Sequence, residues 1–132
     1  KLKNNIMEKA ILLGFIAHLI GDYVLQNDYI ANEKTKSTIP ALIHICLYGI
    51  PFYFLVGFSY SLLFIIGTHF FIDRFRLATY WIKLINWNWE SKNFGFADDK
   101  PMWMSVWLMI IYDNTFHIIF NSLAIWYYYK TM

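Results

Sequence analysis

The stretch from Ser37 to Ile72 constrains this chain more than any other, because it contains no Lys, Arg, Asp or Glu. A run of that length has no place on the surface of a small soluble domain. About 20 apolar residues cross the ~30 Å hydrocarbon layer of a bilayer as a helix, so the run is too long for one crossing. It is expected to fold back at Gly57-Phe58-Ser59-Tyr60 as a helical hairpin. A charge-poor window lies on each side of it. The first, 6–30, is interrupted near its start and by Asp22 and Asp28, and the last, 102–129, holds Asp113 as its one charged residue. With 58% hydrophobic and 15% charged residues in a chain of 132, the expectation is an all-α, polytopic membrane protein. It would be a four-helix transmembrane bundle forming a single domain over 1–132, with helices at about 6–30, 39–57, 60–78 and 102–129. Trp126 and Tyr127 to Tyr129 suit an aromatic belt at the bilayer interface. The segment from Thr79 to Pro101, with Trp81, Trp87 and Trp89 among scattered charges, is expected to lie in the headgroup region between the third and fourth helices.

All the histidines fall inside these apolar windows, each with polar company at helical spacing. His18 and Asp22 are four apart, and Gln26 continues that stripe. His69 and Asp73 repeat the pattern. Asp113 and His117 reverse it, with Asn121 one turn further, and His44 is followed one turn on by Tyr48. Residues four apart share a helix face. Ionisable groups at membrane depth cost a few kcal/mol each and normally face the bundle interior, so the four polar stripes are expected to converge on one cavity. One outcome is structural, with carboxylates and imidazoles pairing across helices. The other is a metal site, since imidazole nitrogen and carboxylate oxygen suit Zn²⁺, Mn²⁺ or Fe²⁺. Cys46 is the one cysteine, which excludes an internal disulfide or a thiolate cluster.

The candidate ligands are His18, Asp22, His44, His69, Asp73, Asp113 and His117. A catalytic zinc takes three protein ligands and a water, so this set exceeds one such site. Either two ions share a bridging carboxylate, or some aspartates orient the ligand histidines. Zinc is the first expectation, with manganese or iron as alternatives. No glutamate lies in the expected core, so a general base would have to be Asp22, Asp73 or Asp113. Gln26, Tyr48 and Asn121 would support the ligands or touch a substrate.

Basic residues set the expected orientation. Lys34, Lys36, Arg74, Arg76, Lys83, Lys92 and Lys100 fall in the first and third connections, against Lys1, Lys3, Lys9 and Lys130 on the other side. The positive-inside rule then puts those connections in the cytoplasm and both termini outside. Lys34 and Lys36 are read as such topology signals. Arg74 and Arg76, directly after Asp73, are equally suited to hold an anionic substrate group.

The stretches HLIGDYVLQNDYIANEKTKS, ALIHICLY, THFFIDRFR and DNTFHIIFN resemble, in order, the motifs of the DUF3307 family of small bacterial and phage membrane proteins. The first of these looks like His-x-x-x-Asp-x-x-Leu-Gln followed by a lysine. The resemblance runs from Ile11 to about Asn121, and its matching positions are His18, Asp22, Gln26, His44, His69, Asp73, Asp113 and His117. It implies residence in a bacterial inner membrane, and it is similar in style to predicted membrane-bound metal-dependent hydrolases. The leading expectation is a metal-dependent hydrolase acting on a lipid or small anionic (phospho)ester. The alternatives are a structural or interaction protein, phage-borne and engaging a host membrane complex, and a divalent-cation or proton transporter. The expected partners are the lipid bilayer and that substrate, with no nucleic acid, and a homo-oligomer is compatible with such a bundle.

Overall fold

The computed structural model describes residues 2–132, and all regular structure among them is helical apart from one isolated bridge between Asn93 and Phe96. Helix α1 (Leu2–Leu19) runs directly into a π-helical turn (Ile20–Val24). A short α2 (Asp28–Glu33) follows, then α3 (Thr38–Val56), α4 (Tyr60–Arg74), α5 (Leu77–Ile85) and the long α6 (Met102–Thr131). The boundaries have local causes. Asn27 caps α2 by accepting from Ile30 N at 2.9 Å, and Ser59 caps α4 by accepting from Leu62 N at 3.3 Å. Gly57, at φ 57°, ends α3 in a conformation that a side chain would strain. Pro40 lies in the first turn of α3, where its missing N–H is harmless.

The four long helices form the bundle: α1 packs on α3 and α6, and α4 packs on α3 and α6. Lys3 reaches the carbonyl of Lys130 at one end of the α1–α6 pair, while His18 meets Asn114 near the other, so those helices run antiparallel. Tyr129 donates to the carbonyl of Leu55 and ties α6 to the far end of α3. The apolar half of the core is built from Tyr48, Phe52, Val56, Ile65 and Ile125.

Polarity is reversed relative to an ordinary soluble bundle. His18, His44, His69, His117, Asp22 and Asp73 are all buried, whereas Leu12, Leu13, Phe15, Leu42, Ile43, Phe54, Leu63, Phe64, Ile111 and Leu123 stand on the outer surface. Helices α3 and α6 are long and apolar enough to cross a membrane. The other two bundle helices do not combine that length with that composition. Helix α4 has 15 residues, about 22 Å at 1.5 Å per residue, and α1 carries Lys3, Glu8 and Lys9. The four expected crossings are thus narrowed to two helices with the character of a span.

The boundaries also differ from expectation at two places. The helix expected over 6–30 is divided by its π turn and by the extended Asn27 (ψ 172°). The helix expected over 60–78 ends at Arg74, because Arg76 adopts left-handed backbone angles (φ 52°, ψ 47°) and restarts the chain as α5. Beyond α5 the connection to α6 is held by its own polar groups. Ser91 Oγ donates to the carbonyl of Phe96 at 2.6 Å, and Asn93 Nδ2 donates to the carbonyls of Ala97 and Lys100.

The approach of α1 to α3 is set by Gly21. A Cβ there would lie 2.8 Å from Tyr48 Cδ2 and 3.1 Å from both Tyr48 Cα and its carbonyl oxygen, and that backbone cannot yield. Gly21→Ala is therefore expected to lower the thermal midpoint of the detergent-solubilised protein, by an amount in the ~1–3 kcal/mol range of overpacked cores. Gly67→Ala, whose Cβ meets nothing within 4 Å, is expected to hold or raise the midpoint through the ~1 kcal/mol helical preference for Ala. Equal losses in the two variants would contradict the close packing at Gly21.

Candidate functional site

Helix α4 presents His69 and Asp73 one turn apart to the interior, α3 adds His44 and Tyr48, and α6 adds Asp113, His117 and Asn121. Asp22 comes from the π turn. Their polar atoms meet in one cluster. His44 Nε2 and His69 Nε2 lie 2.8 Å apart, and His69 Nδ1 and His117 Nδ1 lie 3.0 Å apart. His117 Nε2 then lies 2.9 Å from Asp73 Oδ1 and 3.3 Å from Asp113 Oδ2. Tyr48 stacks on the His69 ring, with centroids 3.6 Å apart, and fixes its plane.

Two sets of these atoms could hold a metal ion: Asp22, His44, His69 and Asp73 form one, and Asp22, Asp113 and His117 the other. Within each set the ligand-type atoms all lie within 4.8 Å of one another. In the first set the separations can be compared with a known geometry. Two ligand atoms at about 2.0–2.2 Å from a tetrahedral ion are roughly 3.4 Å apart. The observed values are 3.2 Å (His44 to Asp22), 3.4 Å (His44 to Asp73), 3.3 Å (His69 to Asp73), 3.8 Å (His69 to Asp22) and 2.8 Å (His44 to His69). Small movements would make these atoms a tetrahedral site, and the donor set of two imidazoles and two carboxylates suits a divalent ion.

His18 stands outside both sets. Its Nδ1 lies 3.0 Å from Tyr48 Oη and its Nε2 lies 2.6 Å from Asn114 Oδ1. A π turn lies between His18 and Asp22, yet both side chains are buried, and the His18 ring lies 5.4 Å from that of His117. Asn121 donates to Tyr48 Oη at 2.6 Å, so Tyr48 joins α1, α3 and α6 around the cluster. Gln26, just beyond the turn, lines the cavity beside the site, and its Oε1 is buried without a partner.

The two arginines have different surroundings. Arg74 donates to the carbonyl of Thr35 at 2.9 Å and pins the first connection to α4. Arg76 lines a cavity of about 310 Å³ onto which Asp22, Asp73 and Asp113 open. Asp113 is the most accessible of these carboxylates, with 24% of its side chain exposed against 4% for Asp73.

Sequence reasoning passed over three residues. Lys34, read as a topology signal, sends its ammonium into the cluster, 2.9 Å from Asp22 Oδ1, 2.7 Å from Asp73 Oδ2 and 3.1 Å from His44 Nε2. Burial would lower its pKa, but Asp73 and Asp22 outweigh that effect and hold it above the usual lysine value. Its signal was the lysine that follows the first motif. Asn114 and Tyr23 are the other two, joined by a 2.6 Å hydrogen bond from Asn114 Nδ2 to Tyr23 Oη. Asn114 could have been found at three residues before His117 and seven before Asn121, on one face of α6.

Residues 10–131 match the model of a family described as "Protein of unknown function (DUF3307)". No curated protein and no solved structure matches the chain.

The position of Lys34 makes a direct prediction. Removing one partner from a buried ionic group typically costs about 3–5 kcal/mol, because the remaining charges are left without compensation. Lys34→Met is expected to lower the thermal midpoint of the metal-free protein strongly. Lys36→Met, at a side chain that is 64% exposed and paired only with Glu33, is expected to leave it unchanged. Thermal unfolding of the two variants in one detergent checks this.

Proposed function

The chain belongs to the DUF3307 family, whose description assigns no activity, and on that premise we propose that it is an integral membrane metallohydrolase acting on a lipid or small anionic (phospho)ester. One observation carries the reading: Asp22 is common to both sets of ligand atoms. A carboxylate shared by two sets is the arrangement a two-ion hydrolytic site needs. Bound there, a divalent ion supplies a water of pKa near 7 and polarises a phosphoryl or acyl oxygen. Zinc is the first choice for an imidazole-rich set, with manganese or iron as alternatives.

The chain's own residues divide the remaining work. His44, His69 and Asp73 would hold one ion with Asp22, and Asp113 and His117 would hold a second with it. Asp113, exposed toward the cavity, is also the carboxylate best placed to take a proton from water there. His18 acts through Tyr48 and Asn114, keeping α1, α3 and α6 in register around the ligands. Arg76, on the cavity wall, is suited to a substrate's anionic group, whereas Arg74 is engaged with Thr35.

The buried ionisable groups and the outward Leu, Ile and Phe residues support a membrane setting. In this reading α3 and α6 cross the bilayer, α1 and α4 complete the bundle beside them, and α5 with its tryptophans lies at the interface. The bacterial inner membrane, with the first and third connections in the cytoplasm and the termini outside, agrees with the distribution of basic residues. A second reading is favoured by Lys34, whose ion pairs with Asp22 and Asp73 could make the cluster a purely structural core.

Elemental analysis of the detergent-purified protein separates the two readings. One or two divalent ions per chain are expected in the wild type, with a clear loss in His69→Ala. A content near zero in both leaves the structural reading. Asp113→Asn is expected to stay folded and to hydrolyse phosphate or carboxylate esters about 10²–10⁴-fold more slowly, the usual range for loss of a positioned acid or base. Turnover equal to the wild type removes Asp113 from that role.

A further inference from the structure

Lys34 and a divalent ion require the same atoms. The ammonium nitrogen contacts Asp22 Oδ1, Asp73 Oδ2 and His44 Nε2 at 2.9, 2.7 and 3.1 Å. An ion bonded to those atoms at about 2.0–2.2 Å would overlap the ammonium group, and two cations so close repel strongly in a medium of low dielectric. The two occupants exclude each other.

A displaced ammonium has a place to go. Lys34 ends α2 and is carried by the short connection to α3, and its side chain already lines the cavity of about 310 Å³. The same wall carries Arg76, which forms no ion pair among the described residues, together with Gln26 and Thr79. Gln26 Oε1 and Thr79 Oγ1 are buried there without hydrogen-bond partners among the described residues. Buried polar atoms are normally satisfied; Thr79 Oγ1 can donate to an anion in the cavity, and Gln26 Oε1 can accept from an ammonium that moves there.

We propose that metal binding expels the Lys34 ammonium into this cavity, where with Arg76 and Thr79 it forms a subsite for a phosphate-type oxyanion. The inference rests on the metal reading above and gives that site its substrate class and its order of binding. While Lys34 pairs with Asp22 and Asp73, the cation on this wall without an ion pair among the described residues is Arg76, over the Phe94 ring at 5.9 Å, against the open carboxylate of Asp113. Once an ion neutralises the carboxylates, the released ammonium and the guanidinium stand together on one wall. The metal therefore binds first and the oxyanion second. Lysine suits this part because its flexible four-carbon stem carries a compact charge between two positions.

The test uses the full chain in detergent, with Zn²⁺ or Mn²⁺ as the metal and inorganic phosphate as the anion. Lys34 in the wild type should react several-fold faster with acetic anhydride, followed by mass spectrometry, once metal is saturating, while Lys36 keeps its rate. By calorimetry, phosphate should bind only to the metal-loaded wild type. Lys34→Gln should bind metal about tenfold or more tightly and phosphate about tenfold or more weakly, the scale of one charge-assisted hydrogen bond. Metal binding with no change in Lys34 labelling overturns the inference and leaves the metal reading standing. Absence of metal from both the wild type and Lys34→Gln overturns both. Metal in Lys34→Gln alone would show that the ammonium keeps the ion out of the wild type, and it overturns the expulsion. The labelling experiment uses only the wild type, so it decides the matter even where the variant does not fold.

Discussion

The three-way contact of Lys34 with Asp22, Asp73 and His44 is the interaction on which the rest of the interior depends. Carboxylates taken out of water are expensive unless paired and hydrogen-bonded, and here two of them come from different elements, the π turn after α1 and the end of α4. A single ammonium at the end of α2 satisfies both and thereby joins the first connection to two bundle helices. Arg74, donating to the carbonyl of Thr35, secures the same connection from the other side. The short segment between α1 and α3 is thus tied to the centre of the molecule, although its sequence looks like a polar loop.

Packing and polarity reinforce each other around that centre. Tyr48 has its ring against His69 and its hydroxyl between His18 and Asn121. It can occupy that position because Gly21 lets the backbone of the π turn come against it. An apolar residue in place of Tyr48 would fill similar space but leave His18 Nδ1 and Asn121 Nδ2 without partners, and an unmade buried hydrogen bond costs more than a made one gains. The bundle is therefore specified at mid-height by hydrogen bonds and toward the far end by Phe52, Val56, Ile65 and Ile125.

The sequence made the helical character and the inward-facing set readable because both depend on local spacing. His69 with Asp73 and Asp113 with His117 are four apart on regular helices, and both pairs reach the interior. His18 and Asp22 have the same spacing and are also buried, but a π turn runs between them, and no residue type marks such a turn. Lys34 illustrates a different limit. A lysine in a short polar connection has the same local context whether it meets solvent or two buried carboxylates, and only the path of α2 decides. The division of Arg74 from Arg76 follows likewise from a left-handed residue at Arg76, a conformation that arginine's own preferences do not foretell.

Charge carries the functional argument one step further. Asp22, Asp73 and Asp113 bring three negative charges to the site, and Lys34 in its observed position offsets one. Under the proposed reading, one divalent ion that displaces Lys34 from its ligands leaves the remaining set one charge short of neutral. Two ions bridged by Asp22 turn it positive by one. With the released Lys34 and Arg76 on the same cavity wall, an anionic substrate is drawn toward either arrangement and more strongly toward the second, because interactions at these distances in a poorly screened interior are large compared with thermal energy. A second ion would therefore strengthen the hold on an anion without being required for it. Asp22, common to both sets, is thus the residue through which a second ion would change the charge that a substrate meets.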